Sequence, residues 1–411
     1  MTTPIDPPQD APFRMSRTEF VALIAMMLAC VAFSIDAMLP ALPQIGVDLS
    51  PNAPERAPLI LSTFLLGMGL GTFFMGPLSD AFGRKQVILG ASALYIAGAV
   101  LVLVSQTIEM VMIARVLQGL GAAGPRVVSL AIVRDRYSGR QMAQVASVVM
   151  MIFTLVPAVA PLIGAGILHI ADWRGIFVAF ITFISVLCIW MMLRLPETLP
   201  AEKRRPLRIP VLLSALREMA THRIVRLSVF VQMLVSAMLF LTLMLVHQTY
   251  DHVYGRGDEF PYWFFGVAIV AGSASLLNAL LVIRLGMHRL IVLALGFQIV
   301  LSGSFLLFDL GGGTYGFYFF VFWQTFIFFQ AGLTIGNLNA IAMEPMGHIA
   351  GMAASVIGAF STVGAVLISG PIGTMFNGSE KLLVVSVFIM AAAAFAAMMW
   401  MGRLMRRTGT A

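Results

Sequence analysis

Apolar and polar residues alternate along this chain in long blocks. Twelve apolar segments of about 20 residues each are joined by short polar connections, and a helix of that length spans the hydrocarbon core of a bilayer. The first six predicted spans are Phe20–Leu39, Pro58–Gly76, Gln86–Val104, Ile108–Val133, Met142–Ile167 and Trp173–Leu193. The second six are Arg226–Val246, Tyr262–Ile283, Leu290–Phe308, Tyr315–Ala342, Ala350–Met375 and Leu382–Met401. The pattern predicts an all-α integral membrane protein with twelve transmembrane helices.

The longest polar segment, Leu195 to Arg223, divides these spans into two sets of six. Each span of the second set begins about 204 to 209 residues after its counterpart, which is typical of a duplicated unit. Side chains repeat weakly: Phe82-Gly83-Arg84-Lys85 is matched by Leu285-Gly286-Met287-His288-Arg289, and Ala131, Ile132 and Asp135 are matched by Ala340, Ile341 and Glu344. We predict a leader (1–17), an N-terminal six-helix bundle (18–195), a central linker (196–223), a C-terminal six-helix bundle (224–403) and a tail (404–411).

The composition agrees with a membrane protein. Hydrophobic residues make up 59% of the chain and charged residues 11%, whereas soluble domains carry roughly 25% charged residues. The net charge of +7 is explained by basic loops, so no nucleic-acid partner is predicted. Cys30 and Cys188 both fall in apolar runs, which argues against a disulfide framework. Because Met1 to Ser16 is polar and rich in proline, we expect a disordered leader and no cleavable signal.

The placement of lysine and arginine predicts the orientation of the chain. Of the 26 such residues, Arg115 and Arg126 lie well inside a span, whereas the others lie in connections or at span ends. Four occupy the connections on one side: Arg56, Arg174, Arg256 and Lys381. The remaining twenty lie on the other side together with both termini, and an excess of basic residues marks the cytoplasmic side. Both termini are therefore expected in the cytoplasm.

One connection carries a distinctive motif. Gly76-Pro-Leu-Ser-Asp-Ala-Phe-Gly-Arg-Lys85 is polar and interrupted by glycine, so it is expected to form a tight loop at a membrane face. It resembles G-x-L-x-D-x-x-G-R-K, the loop between helices two and three of the major facilitator superfamily. This resemblance implies a transporter built from two similar halves.

The same resemblance implies a cytoplasmic charge cluster formed by Asp80, Arg84 and Asp135. Such a cluster holds the two halves together in one conformation and separates when the cytoplasmic side opens, so it acts as a gate. An acid near the positive N-terminus of helix eleven would be stabilised there. The alternative is that these are ordinary loop charges that set orientation, which is the interpretation adopted for Lys85.

Ionisable residues at membrane depth are costly and rarely face lipid, so they are the candidate functional residues. Asp36 lies toward the outer end of helix one, and Pro40 and Pro43 break the helix just beyond it. A carboxylate there can alternate between a neutral, protonated form and an ionised form, as a proton carrier must. The alternative is an interfacial aspartate that is solvated at the helix end.

Arg115 lies one to two turns into helix four. Its surroundings resemble the superfamily signature R-x-x-Q-G-x-G, with Arg115, Gln118, Gly119 and Gly121 at the motif positions. In antiporters of the superfamily this arginine is implicated in proton coupling, and the resemblance implies that role for Arg115. Arginine keeps its charge, so it can tune nearby acids without titrating. The alternative is an arginine that snorkels to the outer interface.

Arg126 lies eleven residues further along helix four. Both arginines therefore lie on one helix face, about 16 Å apart, and are expected to face the same cavity. Pro125 is predicted to kink the helix beside it. Arg126 is interpreted as a ligand for an anionic group of the substrate or as the partner of an internal acid, with snorkelling toward the cytoplasmic face as the alternative.

Helix five contains Pro157-Ala-Val-Ala-Pro-Leu-Ile-Gly164. This run resembles the Gly-Pro-x-x-Gly motif of drug:proton antiporters, with Pro161 and Gly164 retained and Ala160 in place of the first glycine. Prolines bend a helix and small residues allow close packing, so plain packing is the alternative explanation.

Three further segments combine with the loop and helix-four motifs to indicate a branch of the superfamily: Ser34-Ile-Asp-Ala-Met-Leu-Pro-Ala-Leu-Pro43, Trp173-Arg-Gly-Ile-Phe177 and Leu195-Pro-Glu-Thr-Leu199. Together they most resemble the Bcr/CflA branch of twelve-span drug:proton antiporters. That resemblance implies a multidrug efflux protein of the bacterial inner membrane, associated with resistance to bicyclomycin, chloramphenicol-type drugs and related antibiotics.

The second half offers polar amides and aromatic rings rather than charges inside its spans. Such walls suit a small amphipathic ligand, although an aromatic run also serves packing or faces lipid. The predicted substrate-cavity residues are Phe33, Met38, Gln118, Arg126, Asn278, Gln324 and Phe328. No nucleotide loop, metal-spacing motif or paired nucleophile is apparent, so neither enzyme activity nor a cofactor or metal is predicted.

The predicted function is proton-coupled export of small amphipathic drugs by alternating access. The predicted partners are the small-molecule substrate, protons and the lipid bilayer, and the protein is expected to be a monomer. The alternative is a proton-coupled carrier for a narrow range of metabolites, including anionic ones, for which Arg126 would bind a carboxylate. A non-transporting scaffold or receptor is a further alternative, but the sequence shows no appended signalling domain that would support it.

Overall fold

The computed structural model describes residues 15–204, 206, 209–311 and 315–408. The first six long helices are α1 (Arg17–Asp36), α2 (Leu59–Phe82), α3 (Arg84–Leu103), α4 (Ile108–Arg136), α5 (Gly139–Leu168) and α6 (Arg174–Arg194). The second six are α7 (Arg223–Gln248), α8 (Phe260–Leu285), α9 (Met287–Leu307), α10 (Gly316–Met343), α11 (Ala350–Gly373) and α12 (Lys381–Thr408). All are long and apolar enough to cross a membrane, with α10 and α11 joined through a short 3-10 turn, Glu344–Ile349.

The predicted all-α architecture of twelve spans is confirmed. Every long helix overlaps one predicted span, and the ends differ by a few residues. A peptide group exposed to hydrocarbon has no water to bond, so each apolar block forms a helix in which the backbone bonds itself. Where helix ends carry polar residues, local capping extends them. Ser16 Oγ, for example, accepts a hydrogen bond from the Glu19 N–H at 3.1 Å and begins α1 before the predicted Phe20.

The two sets of six helices pack in the same internal order. In the first half, α4 packs against α2 and α3, α1 packs against α5 and α6, and α3 packs against α6. In the second half, α10 packs against α8 and α9, α7 packs against α11 and α12, and α9 packs against α12. This repeated order agrees with a duplicated six-helix unit.

The halves meet along two helix pairs, α2 with α11 and α5 with α8. Small residues permit the α2–α11 contact: a Cβ placed on Gly69 would lie 2.9 Å from Val363 Cγ2, and one on Gly76 would lie 3.0 Å from Ser355 Oγ. Near the start of α2, Ser62 Oγ donates to Met244 Sδ of α7 at 3.1 Å. The halves are therefore in contact near both ends of α2.

We name the two ends of the bundle by their connections. The linker end carries the α2–α3 turn, the segment between α6 and α7, and the chain ends next to α1 and α12. The opposite end carries the α1–α2 and α7–α8 connections. The predicted basic residues Arg14, Arg205 and Arg208, most of the leader and the last residues of the tail lie outside the described residues.

Two of the predicted polar segments contain helical structure. The central linker, predicted as a polar connection, contains a helix, Ile209–Thr221. Ala215 and Met219 are buried on one face of it, and Met219 joins a cluster with Val225 and Met346, so apolar spacing within a polar stretch produces the helix. The tail predicted from residue 404 is helical to Thr408, because α12 continues beyond its apolar part.

Candidate functional site

The helix α1 ends at Asp36, close to the position that the sequence predicted. The Ala37 N–H still donates to the Phe33 carbonyl at 3.1 Å, but Pro40 has no N–H to offer the carbonyl of Asp36. The chain continues as a 3-10 turn, Leu39–Ala41, and a short helix, Leu42–Leu49. The last carbonyl groups of α1 therefore need partners from other helices.

Arg115 of α4 supplies one of those partners. Its Nη2 donates to the Ser34 carbonyl at 3.0 Å, and its Nη1 donates to Gln118 Oε1 at 2.7 Å. The guanidinium carbon lies 4.2 Å from the ring centroid of Phe64, and the residue is 0% exposed. A fixed positive charge thus lies at the C-terminal end of α1, where the helix dipole favours it. The guanidinium lies inside the bundle rather than at an interface.

The two glycines of the helix-four motif allow this arrangement. A Cβ on Gly119 would overlap the carbonyl oxygen of Phe64 in α2, and one on Gly121 would overlap the backbone nitrogen of Tyr95 in α3. Because α4 lies in close contact with both neighbours, these positions accept no side chain. The motif therefore combines one polar pair, Arg115 and Gln118, with two points of close helix packing.

Helix α5 approaches the same end of α1. A Cβ on Gly164 would overlap the carbonyl oxygen of Ala37, the residue directly after Asp36. The helix α5 remains continuous through Pro157 and Pro161, and Ala160 is buried. The predicted helix-packing motif thus lies against the break in α1 that follows Asp36.

A buried hydroxyl pair fixes α1 to α3. Ser34 Oγ donates to the Cys30 carbonyl at 2.6 Å and lies 2.5 Å from the hydroxyl oxygen of Tyr95. Sequence reasoning did not single out Tyr95, since one tyrosine in an apolar span carries no specific signal. Its contact places a third helix at the end of α1.

Asp36 itself is 5% exposed. Among the described residues, its carboxylate forms no ion pair, and Arg115 donates instead to the Ser34 carbonyl, two residues earlier in α1, and to Gln118. A buried carboxylate without a bonded cation is costly when ionised and much less so when protonated. The arrangement is therefore suited to taking up and releasing a proton.

Three predicted cavity residues lie within the packing of the first half. Phe33 contacts the Phe180 and Phe183 rings of α6 at centroid distances of 5.2 and 5.4 Å. Met38 and Gln118 are 0% exposed. In this conformation these side chains are enclosed by protein, and only Gln118 belongs to the polar group around Arg115.

Arg126 differs from Arg115 in its surroundings. Its side chain is partly exposed, and its Nη1 donates to Met68 Sδ at 3.4 Å, which is a weak acceptor. In the part of the chain that the structure describes, no carboxylate pairs with it. The sequence predicted that Arg115 and Arg126 face the same cavity. In this conformation Arg115 is enclosed by its partners, so at most Arg126 faces such a cavity.

In the second half, the predicted cavity residues occupy different environments. Asn278 Oδ1 accepts a hydrogen bond from Asn337 Nδ2 at 2.7 Å, which joins α8 to α10. The Phe328 ring packs edge-on against Phe264 at a centroid distance of 5.4 Å. Gln324 is 0% exposed, and neither of its amide atoms has a partner among the described residues. Gln324 therefore carries the strongest unmet hydrogen-bonding capacity of the three.

At the linker end, the structure brings together all three residues of the predicted charge cluster. Arg84 Nη1 lies 2.5 Å from Asp80 Oδ1, and its Nε lies 2.8 Å from Asp135 Oδ2. Arg84 Nη1 also donates to Ser79 Oγ at 2.6 Å. These four residues all belong to the N-terminal half, so their bonds join α2, α3 and α4 to each other.

Glu197, which the sequence suggested only as part of a branch motif, binds the start of α3. Its two carboxylate oxygens accept the N–H groups of Arg84 and Lys85 at 3.0 and 3.1 Å. These are two of the four N–H groups that a helix leaves unbonded at its N-terminus. The prediction that Lys85 only sets orientation is incomplete, because its Nζ donates to the carbonyls of Met192 and Leu195, each at 2.9 Å.

A sequence profile of the Major Facilitator Superfamily matches residues 23–371, which extends through both halves as far as α11 and includes all of these sites. The chain belongs to the major facilitator superfamily. The resemblance predicted from the loop and helix-four motifs is thereby confirmed, and the family is one of transporters rather than enzymes.

Relatives and solved structures agree with this membership. The bicyclomycin resistance protein homolog of Haemophilus influenzae is 31% identical over 364 residues, which cover 85% of this chain and 87% of the relative. The chloramphenicol resistance protein of Pseudomonas aeruginosa is 33% identical over 166 residues, or 40% of this chain and 39% of the relative. A crystal structure of the nucleoside transporter NupG has the same fold, with a TM-score of 0.73, 13% identity and coverage of 94% and 100%. The relatives support the predicted Bcr/CflA branch of the superfamily.

Proposed function

We propose that this superfamily member is a proton-coupled antiporter that exports small amphipathic drugs by alternating access. The observation that carries the proposal is the buried carboxylate of Asp36 at the break of α1, two residues after Ser34, whose carbonyl accepts a hydrogen bond from the fixed charge of Arg115. Relatives named for resistance to bicyclomycin and chloramphenicol support that substrate range.

The coupling residue in this proposal is Asp36. Protonated from the outer side, it is neutral and compatible with its buried position; deprotonated, it needs water or a cation. Arg115 favours the ionised form by its charge but stays bonded to Ser34, so it acts as a positioning and tuning residue. Proton and drug then compete through their effects on one conformational equilibrium, without having to share a binding site.

We propose that the linker end faces the cytoplasm of a bacterium and that the protein acts as a monomer in the inner membrane. The excess of lysine and arginine at that end supports this orientation. Polar groups without protein partners, such as the amide of Gln324, are proposed to bond the solute.

The charge cluster around Arg84 is proposed to act as the cytoplasmic gate. Gly76 lies next to Ser355 in the second turn of α11, and Asp80 follows one turn later with its side chain 50% exposed. When the halves approach further at this end, Asp80 can reach the N-terminus of α11, where the helix dipole stabilises an acid. Opening of this end then breaks the contact.

The test uses everted membrane vesicles with an acidified interior and measures internal pH while bicyclomycin, phenicols, cationic drugs and small carboxylates are added. A transported drug should raise the internal pH, because protons leave as the drug enters. Asp36→Asn should abolish this response. The matched control is Asp172→Asn, which makes the same change at an exposed position. Concentrative drug uptake by Asp36→Asn vesicles would contradict the coupling role.

A second candidate function rests on Arg126. Its partly exposed guanidinium, with a thioether as its hydrogen-bond acceptor, favours an anionic solute. In that case Arg126→Gln should abolish the pH response to small carboxylates and leave the response to neutral drugs intact. Equal loss of both responses would argue for a structural role of Arg126 instead.

A further inference from the structure

The internal repeat places two glycines in the same backbone conformation at the linker end. Gly83 precedes α3 with φ 102° and ψ 153°, and Gly286 precedes α9 with φ 78° and ψ 155°. Each is the N-cap of its helix and has no side chain to bond the first N–H groups. Positive φ is the reason that glycine occupies both positions.

The next shared feature is a contact to the last helix of each half. Lys85 Nζ donates to carbonyls at the end of α6, as described above. Two residues after Gly286, at the matching place, His288 Nε2 lies 2.9 Å from the Met398 carbonyl of α12. The α2–α3 and α8–α9 turns therefore have equivalent positions relative to α6 and α12.

The two turns differ in what lies over the helix N-terminus. At Gly83, the carboxylate of Glu197 is so close that a Cβ would lie 2.8 Å from Oε2. At Gly286, apart from its own chain neighbours, no atom of the described residues lies within 4 Å of such a Cβ. The N-terminus of α3 thus holds an anion supplied by the chain itself, whereas the equivalent region at α9 opens into a groove.

That groove has a volume of about 660 Å³ and lies between the start of α9, the end of α10 and the end of α12. Arg289 and Arg406 line it, both are exposed, and neither forms an ion pair within the described ranges. Glu344 is the acidic residue of the lining, so the two arginines give the lining a net positive charge. Apolar walls are supplied by Leu293 and Met399, which are 59% and 38% exposed.

We propose that this groove binds the phosphate of an anionic phospholipid in the leaflet at the linker end. The N-terminus of α9 and the two arginines match a phosphate, and the exposed apolar walls match its acyl chains. Basic pockets between transmembrane helices at the cytoplasmic side are suited to anionic headgroups. This site is separate from Asp36 and does not depend on which solute is transported.

The test measures lipid binding to the full-length protein in detergent by native mass spectrometry. The probes are short-chain phosphatidylglycerol, short-chain phosphatidylcholine and inorganic phosphate. The double variant Arg289→Gln, Arg406→Gln should bind phosphatidylglycerol about thirtyfold more weakly, because each arginine near an anionic lipid contributes about 1 kcal/mol. The matched control is Arg284→Gln, Arg403→Gln, which removes two exposed arginines that do not line the groove. Its affinity should stay within about twofold of the unmodified chain.

A second variant reverses the sign of the effect. Glu344→Gln removes the acidic residue of the lining and should tighten phosphatidylglycerol binding about fivefold. Misfolding does not produce tighter binding, so this result separates recognition from loss of structure. Equal binding of phosphatidylcholine, equal loss in the control variant, or competition by millimolar inorganic phosphate would each overturn the proposal of a lipid site.

Discussion

The carboxylate of Glu197 should control how often the start of α3 opens. It bonds the N–H groups of Arg84 and Lys85 and places a negative charge at a helix N-terminus. Loss of an N-cap side chain costs about 1 kcal/mol, and loss of the favourable charge adds roughly 0.3–1 kcal/mol. The Glu197→Ala change should therefore destabilise the first turn of α3 by about 1.3–2 kcal/mol.

Hydrogen exchange measured by mass spectrometry tests this value locally. Since 1.4 kcal/mol corresponds to a factor of ten, the amides of Arg84 and Lys85 should exchange about 10- to 30-fold faster in Glu197→Ala. Glu197→Gln should give a smaller increase, because one side-chain oxygen remains as an acceptor.

Two comparisons make the test specific. Glu202→Gln removes one exposed charge from the same linker and should leave exchange at α3 unchanged. The first turn of α9 has no side-chain cap and should exchange at the same rate in all variants. Unchanged exchange at Arg84 and Lys85 in Glu197→Ala would refute the assignment of Glu197 as the cap of α3.

Two further predictions concern the end of α1. Gly164→Ala places a methyl group against the Ala37 carbonyl and should lower the free energy of unfolding by about 1–3 kcal/mol and impair drug efflux. Gly166→Ala should affect neither, because its methyl group meets no atom of another described element within 4 Å. Equal effects of the two changes would contradict the close packing of α5. Arg115→Lys keeps the charge but not the forked geometry, so it should reduce proton-driven efflux in a vesicle assay while expression is retained; full activity would mean that charge alone suffices.

Much of the fold was predictable from the sequence for one physical reason. An apolar segment of about 20 residues in a bilayer forms a helix, because only a helix lets its backbone bond itself. The number of spans and the division into halves therefore follow from the pattern of apolar and polar segments. The linker helix Ile209–Thr221 was not predicted, because it lies outside the apolar spans. A few buried residues such as Met219 stabilise it.

Part of the candidate site was predictable as well. Asp36, Arg115 and Arg126 stand out because charges inside spans are rare. The grouping of Asp80, Arg84 and Asp135 was expected from the resemblance, and the structure brings these side chains together. Glu197 was not assigned a role, because it lies more than a hundred residues from Arg84 and a linker carboxylate has many possible partners.

The sequence by itself therefore determined the twelve helices, their pairing into a repeat and the positions of charges within them. The tertiary structure decided which groups those charges meet: the Ser34 carbonyl for Arg115, the Met68 thioether for Arg126 and the first turn of α3 for Glu197. The physical reason is that a membrane helix is apolar on most of its faces, so its sequence does not fix its rotation. That rotation is set by close contacts between helices, such as Gly164 against Ala37, which exist only once the bundle is assembled.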